Sequence, residues 1–164
     1  MIDGCFDIKK AGLTDIALIM EFVDWWLTGK GKSFGIPGAT HECFISPSQH
    51  MRYVEKYDVR LLYFEDHLVG WSVVDTKGQL IHFLIAGTFR GIGLGSAFLQ
   101  EIQPQTIRSK SDQQTGNPEE FYKKNGYVYS HSVQPRCRFR FFYEKPQKKK
   151  TIDIFEKKNR RRRQ

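Results

Sequence analysis

Long apolar runs, paired cysteines and an apolar leader are all missing from this sequence. Its apolar stretches are far shorter than the ~20 residues that a membrane-spanning helix needs, so we expect no membrane contact. The opening residues MIDGCFDIKK do not combine a basic lead with an apolar stretch, and we expect no secretory signal. The three cysteines, Cys5, Cys43 and Cys137, lie far apart, which argues against a disulfide framework and a Cys-x-x-Cys metal site. These absences predict a cytoplasmic protein without a bound metal.

Acidic residues are outnumbered, and the imbalance lies at one end of the chain. There are 26 Lys and Arg against 18 Asp and Glu, which gives a formal net charge of +8. The last stretch, Lys145 to Gln164, holds ten basic and two acidic residues and therefore carries the whole excess. Such a block attracts phosphate backbones through counterion release. We expect a basic tail that binds nucleic acid, and a solvated terminus is the alternative.

The rest of the chain has the composition of one folded domain. Of the 164 residues, 40% are hydrophobic and 14% are aromatic, which is enough for a sizeable buried core. Strand-like alternation gives way to charge near Lys145. The sequence therefore predicts a domain over residues 1–144 and a flexible tail over residues 145–164.

Hydrophobic periodicity predicts strands and helices in mixed order. Alternation in CFDIKKA predicts a first strand, and apolar spacings of three and four predict a helix that Thr14 caps. Ser46 and Pro47 predict the start of a second helix. Three strands follow, then a helix over about 96–103, a strand, a helix in NPEEFYKKNG and two final strands. The order β-α-α-β-β-β-α-β-α-β-β predicts an α/β or α+β fold.

Three glycines occupy alternate positions where a strand is predicted to lead into a helix. They are Gly91, Gly93 and Gly95 in the stretch FRGIGLGSAFL, directly behind Arg90. Glycine is a poor helix former, but it lets backbone amides approach a ligand closely. The first turn of a helix adds N–H groups without intrahelical partners and the positive end of the helix dipole. A flexible turn explains the glycines alone, and an anion site explains them together with Arg90.

A second motif, FYKKNGY, lies one short crossover downstream of the glycines. Together the two motifs resemble the GNAT N-acetyltransferase superfamily, whose signature is an Arg-x-x-Gly-x-Gly loop and a helix ending in Tyr-x-x-x-Gly-Phe/Tyr. The matching positions are Arg90, Gly93, Gly95, Tyr122, Gly126 and Tyr127. The resemblance covers about residues 6 to 143. It implies a mixed, mostly antiparallel sheet of about six to seven strands with helices on both faces.

The resemblance also implies acetyl-coenzyme A (acetyl-CoA) as cosubstrate. Its pyrophosphate would bind backbone amides at the helix start, and its pantetheine arm would lie where the preceding strand splays from the next one. The loop and helix residues that the resemblance assigns to this site are Arg90, Gly91, Ile92, Gly93, Leu94, Gly95 and Ser96. The strand residues are Phe83, Leu84 and Ile85.

The implied reaction is direct attack of a primary amine on the thioester, without a covalent enzyme intermediate. In the family, the tyrosine in the position of Tyr122 commonly protonates the departing thiolate and also lies at the cosubstrate site. A phenol is a suitable acid for that step. The alternative for Tyr122 is a half-buried aromatic residue of an amphipathic helix.

The base that would deprotonate the amine is left open by the sequence. Many family members place a glutamate or histidines on the strand before the glycines, and here that strand, GQLIHFLIA, has no carboxylate. His82 is its only titratable group, and an unperturbed histidine titrates near pH 6.5, as suits a base. Strict alternation would place His82 on one face with Leu80 and Leu84, opposite Ile81. A core position is the alternative for His82, and the other candidate bases are His41, Glu42, Glu65 and a relayed water molecule.

The acceptor is open as well. Family members usually shape the acceptor pocket with the loop between the first two helices, and its aromatic residues would suit a planar or apolar acceptor, with core packing as the alternative. These residues are Trp25, Trp26, Phe34, His41 and Phe44. The basic tail favours an amine on a modified base or on a nucleic-acid-bound protein. The competing hypothesis is a catalytically inactive GNAT-like module that binds nucleic acid through its tail. In either case we expect a monomer or a homodimer.

Overall fold

The structure, a computed structural model, describes residues 4–27, 45–89, 91–110, 118–133 and 140–146. Its strands are β1 (Phe6–Lys10), β2 (Asp58–Phe64), β3 (His67–Val74), β4 (Gln79–Ile85), β5 (Thr106–Lys110), β6 (Val128–Val133) and β7 (Arg140–Glu144). Its helices are α1 (Ile16–Leu27), α2 (Pro47–Lys56), α3 (Leu94–Ile102) and α4 (Glu119–Lys124). The predicted order of elements is confirmed. Among the described helices, none is long and apolar enough to span a bilayer.

The seven strands form one sheet in the order β1-β2-β3-β4-β5-β7-β6. Neighbouring strands are antiparallel except for β4 and β5, which are parallel. The predicted mixed, mostly antiparallel sheet is therefore confirmed. Strands β2 to β4 form a meander, and Glu65 and Asp66 turn the first hairpin with φ of 48° and 66°. Positive φ at both turn residues is typical of two-residue hairpins, because it matches the twist of the strands.

Helix α2 begins as the sequence predicts, but α1 does not. The Ser46 hydroxyl accepts a hydrogen bond from the backbone N–H of Gln49 at 3.2 Å, and Pro47 occupies the first turn. The predicted cap at Thr14 is wrong. A 3₁₀ turn over Leu13–Asp15 precedes α1, and the Asp15 carboxylate accepts the backbone N–H of Gly12 at 2.8 Å. The Asp15 carboxylate thus satisfies the backbone N–H of Gly12, and the cap lies before the 3₁₀ turn rather than at Thr14.

Helices cover both faces of the sheet. The His82 side chain on β4 contacts Tyr53 of α2, with 5.5 Å between ring centroids. The next residue, Phe83, packs against Phe98 of α3 at 5.4 Å between ring centroids. Because successive strand residues point to opposite faces, α2 and α3 lie on opposite sides of the sheet.

A β-bulge in β4 changes which residues share a face with His82. Val73 of β3 pairs with His82, whereas Val74 pairs with Leu80, so Ile81 is an extra residue in the ladder. Since Val73 and Val74 point to opposite faces, His82 and Leu80 also do. The alternation expected from the sequence is therefore wrong at this point. Leu80 packs with the α3 and α4 cluster, and His82 faces α2.

Candidate active site

The ladder between β4 and β5 is short. It consists of the pairs Gln79↔Thr106 and Leu80↔Ile107, although both strands continue beyond it. The two strands therefore separate toward their carboxyl ends and leave a gap in the middle of the sheet. We call the face of this gap that Tyr53 covers the α2 side, and the face that Tyr122 covers the α4 side.

The glycine loop lies at the carboxyl end of β4, where the gap is expected to be widest. Gly93 is the residue before α3 and has φ 90° and ψ 0°, a left-handed conformation that strongly favours glycine. No side chain caps the first turn of α3. A Cβ built on Gly91 would have no atom of another described residue within 4 Å, apart from its chain neighbours. The arrangement has the features of an anion site, and Arg90 lies outside the described residues.

The two sequence motifs pack directly against each other. A Cβ on Gly95 would lie 3.4 Å from the ring of Phe121, so the absence of a side chain lets α4 approach α3 closely. The amide of Asn125 donates to the Ser96 hydroxyl at 3.3 Å. Leu94 is fully buried, and Ile92 is 47% exposed on the loop. The start of α3 is therefore fixed by the end of α4.

Tyr122 is held beside β5 on the α4 side. Gly126 ends α4 with φ 90°, its N–H bonds to the carbonyl of Lys123, and the N–H of Tyr127 bonds to the carbonyl of Tyr122. The Tyr122 side chain is 6% exposed and hydrogen-bonds to the Ser109 hydroxyl. Burial raises the pKa of Tyr122 well above its ordinary value, and the neighbouring Tyr143 adds to the shift. The phenol therefore stays protonated at neutral pH.

The strand residues assigned to the cosubstrate lie along β4 beside the gap. Phe83 packs between Phe98 and Phe121, with 5.4 Å and 5.9 Å between ring centroids. Leu84 and Ile85 are buried, at 4% and 8% exposure. Their side chains belong to the core, so a ligand in the gap would meet the strand through its backbone.

His82 is part of a polar chain on the α2 side. Its Nε2 atom lies 3.2 Å from the Tyr53 hydroxyl, and Gln49 donates its side-chain N–H to that hydroxyl at 2.8 Å. Because the hydroxyl accepts from Gln49, its own proton is available to His82. The imidazole stacks on Trp71 with 5.1 Å between ring centroids. A group that reacts in the gap would therefore have a proton-transfer pair on this side.

Several of these residues escape the sequence analysis. Tyr53, Gln49 and Ser109 have no motif, and they reach the site only through α2 and β5. Gln49 and Tyr53 do stand four residues apart on a helix, a spacing that places them on one face. Of the aromatic residues expected around the acceptor, Trp26 packs against the core and Trp25 is 47% exposed. Phe34, His41, Glu42 and Phe44 lie outside the described residues, and Glu65 is exposed in the β2–β3 turn.

The described part of the chain contains no cluster of metal-binding side chains. No three or more His, Cys, Asp and Glu side chains there lie close enough together to hold a metal ion. The side chains beside the gap include phenols, an imidazole, an amide and a guanidinium group. This set suits proton transfer and hydrogen bonding.

Comparison with known proteins finds no relative by sequence but many by structure. No protein-family model matches the chain, and no curated protein sequence matches it significantly. A GCN5-related N-acetyltransferase from Rhodopseudomonas palustris has a TM-score of 0.66 at 13% identity, covering 90% of this chain and 99% of that one. A GNAT-family acetyltransferase from Streptococcus agalactiae has a TM-score of 0.65 at 15% identity, covering 91% and 100%. A ribosomal-protein-alanine N-acetyltransferase from Brucella melitensis has a TM-score of 0.59 at 16% identity, covering 86% and 99%. The chain therefore has the fold of the GNAT N-acetyltransferase superfamily.

Proposed function

We propose that this protein is an N-acetyltransferase that transfers the acetyl group of acetyl-CoA to a primary amine. The observation that carries the proposal is the short β4–β5 ladder, which ends after two residue pairs and opens a gap beside a glycine loop. A thioester arm needs such a slot through the sheet, and a diphosphate needs the helix start next to it. The GNAT fold supports the same assignment by analogy.

The residues around the loop fit the cosubstrate. The backbone amides of Ile92, Gly93, Leu94 and Gly95 would bind the pyrophosphate, and Gly91 adds room for it because no described atom lies within 4 Å of the position of its missing Cβ. The helix dipole of α3 would add to this attraction. Phe83, Leu84 and Ile85 would line the pantetheine arm along β4.

The two sides of the gap supply the two proton transfers. The amine nitrogen forms a bond to the thioester carbonyl carbon, and the C–S bond breaks. The amine proton passes to the Tyr53 hydroxyl as that hydroxyl gives its own proton to Nε2 of His82. The departing thiolate takes the proton of Tyr122. After coenzyme A leaves and opens the gap to solvent, Tyr122 regains a proton and the His82 imidazolium releases one, which restores both groups. His82 and Tyr122 thus act as base and acid.

The first test measures cosubstrate binding at the glycine loop. Acetyl-CoA should raise the melting temperature of the wild type, because a ligand that binds only the folded state stabilises it. Gly93→Glu should abolish this shift, because its carboxylate would repel the pyrophosphate. Gly93→Gln is the matched control, since it introduces the same bulk and backbone strain without charge and should keep part of the shift. Equal loss in both variants would assign the effect to strain, and no shift in the wild type would overturn the proposal.

The second test concerns the acceptor and the tail. The charge of residues 145–164, of which only Lys145 and Pro146 are described, makes an amine on a nucleic-acid-associated molecule one candidate acceptor. Acceptors would be screened by the mass increase on acetylation, with the full chain and with a variant ending at residue 144. Faster acetylation of nucleic-acid-bound acceptors only with the tail, and only at low salt, would support this acceptor class. Salt-sensitive nucleic-acid binding without acetyl-CoA binding would instead favour an inactive module.

A further inference from the structure

The α2 side of the gap contains a cavity of about 580 Å³. β4 and β5 contribute Ile81 and Arg108 to its wall, and these are the residues that directly follow their last ladder pair. Helix α2 contributes one face of its length, including Tyr53. The cavity therefore opens onto the gap at the point where the two strands part, next to the Tyr53–His82 pair.

Positive charge dominates the described wall of this cavity. Arg52 from α2 and the half-buried Arg108 from β5 both line it, against one carboxylate, that of Asp75. The Asp75 carboxylate already accepts the backbone N–H groups of Lys77 and Gln79, each at 2.9 Å, and so holds the turn before β4. The formal charge of the described lining is thus +1, and it comes from guanidinium groups.

The remaining lining is polar and aromatic. Tyr53 and Tyr57 stack with 5.6 Å between ring centroids, and Ser48 and Gln49 come from the first turn of α2. Burial raises the pKa of Tyr53, whereas the hydrogen bond from Gln49 and the positive charges of Arg108 and Arg52 oppose this shift. Both guanidinium groups therefore lie close enough for their field to act at the phenol. The positive end of the α2 dipole has the same sign.

We infer that the acceptor of the proposed transfer is a small amine that carries a carboxylate or a phosphate, and that Arg52 and Arg108 bind this anionic group. A guanidinium binds either anion through two parallel hydrogen bonds, which fixes orientation as well as charge. An anion held there would leave the amine of a small molecule beside Tyr53 and the gap. The role of the amine rests on the proposed function, whereas the anion site is testable without catalysis.

The experiment compares charged and neutral members of matched pairs. The carboxylate pair is phenylalanine and phenylalaninamide, and the phosphate pair is phosphoethanolamine and ethanolamine. Calorimetry measures binding to the full-length protein saturated with coenzyme A, and mass spectrometry measures acetylation with acetyl-CoA. In at least one pair, we expect the charged member to bind at least about 10-fold more tightly than the neutral member. A gain of this size is what one charge-assisted hydrogen bond provides.

Three variants locate the anion. Arg108→Lys keeps the charge but loses the two-bond geometry, and Arg52→Gln removes a charge from an exposed helix position where folding is not at risk. Each should reduce the preference for the charged member by about 10-fold. Lys10→Gln on β1 is the matched control, because it removes one positive charge with β2 and β3 between it and β4, and it should leave the preference unchanged.

The outcomes separate the inference from the proposed function. Charge-dependent binding without acetylation supports the anion site and counts against the transferase. Acetylation of both members at equal rates supports the transferase and overturns the inference. Equal binding within both pairs, or no binding of any member, also overturns it. Binding of a short single-stranded RNA through the same arginines, without preference in either pair, would assign the cavity to nucleic-acid phosphate and overturn the small-molecule acceptor.

Discussion

The two sides of the β4–β5 gap differ in the chemistry that they offer. On the α2 side, His82, Tyr53 and Gln49 form a hydrogen-bonded chain beside an open cavity with two arginines. On the α4 side, Tyr122 lies among aromatic rings, with 5.3 Å between its centroid and that of Phe121 and the same distance to Tyr143. The α2 side therefore borders a cavity with charged walls, and we call it the polar side. The α4 side is the dry side, because Tyr122 is only 6% exposed there.

In the proposed reaction, this difference in environment would let Tyr122 act as the acid and His82 as the base in one site. A dry environment favours the neutral form of a phenol, and burial raises the pKa of Tyr122 accordingly. The same environment makes a newly formed thiolate more basic, so the phenol can still protonate it. On the α2 side, the cavity beside Tyr53 would let the proposed base, His82, pass its proton on to solvent. Different environments that push the pKa values of two titratable groups apart are typical of acid–base pairs.

The largest effect is expected from Tyr122→Phe, which removes the proposed acid from the α4 side. We expect kcat to fall by about 10²- to 10⁴-fold, the usual contribution of a general acid, while the Kd of acetyl-CoA stays unchanged. Initial rates of coenzyme A release and the thermal shift with acetyl-CoA measure the two quantities. Tyr129→Phe is the control, because this phenol on β6 is exposed. A loss of less than about threefold in kcat would leave Tyr122 as a packing residue only.

A smaller effect is expected from variants of His82 and Tyr53 on the α2 side, because solvent can replace part of the proton transfer between them. His82→Gln should lower kcat/KM by about 10- to 100-fold and remove the rise of kcat/KM with pH that a base produces. Tyr53→Phe should cost a similar factor, and the double variant should cost little more than either single one, since both act in one proton path. Additive losses would show that the two side chains act independently.

A third prediction tests stability on the polar side, through His50. This residue of α2 is 3% exposed and lies 5.7 Å from Trp71 between ring centroids, and burial lowers its pKa below 6.5. As the pH falls below 6.5, the unfolded chain binds a proton that the folded chain does not, so the free energy of unfolding decreases. The loss should approach about 1.4 kcal/mol per pH unit at most.

Urea unfolding between pH 5 and 8 would measure this loss. His50→Gln should remove that part of the slope, and His67→Gln, in the exposed start of β3, is the control that should keep it. If the free energy of unfolding falls with pH equally in His50→Gln and the wild type, protonation of another group causes the loss of stability.

The sequence predicts the dry side better than the polar side. Motifs define both ends of the dry side, because Gly93 needs a left-handed conformation and Gly126 ends α4, and both requirements are local. The contact between Tyr53 and His82 joins positions 29 residues apart, and the bulge at Ile81 separates Leu80 from the face that His82 occupies. One inserted residue moves the residues on one side of it to the opposite face of the sheet, and no local pattern in GQLIHFLIA predicts such an insertion. The arrangement on the α2 side therefore becomes visible only in three dimensions.

The smallest effect is expected from Gly95→Ala, which measures how tightly the dry side is packed. The new methyl group would lie 3.4 Å from two ring atoms of Phe121 and 3.7 Å from Ile85, so a small shift of the ring accommodates it. Alanine gains about 1 kcal/mol of helix propensity over glycine, and the tight contact offsets part of this gain. The net change in the free energy of unfolding should therefore stay within about 1 kcal/mol. Gly91→Ala is the contrasting variant, because its Cβ meets no described atom within 4 Å but its φ of 81° should cost about 1–2 kcal/mol through backbone strain alone. If Gly95→Ala lowers the free energy of unfolding by more than about 2 kcal/mol, the ring of Phe121 cannot move aside, and the packing between α3 and α4 is rigid.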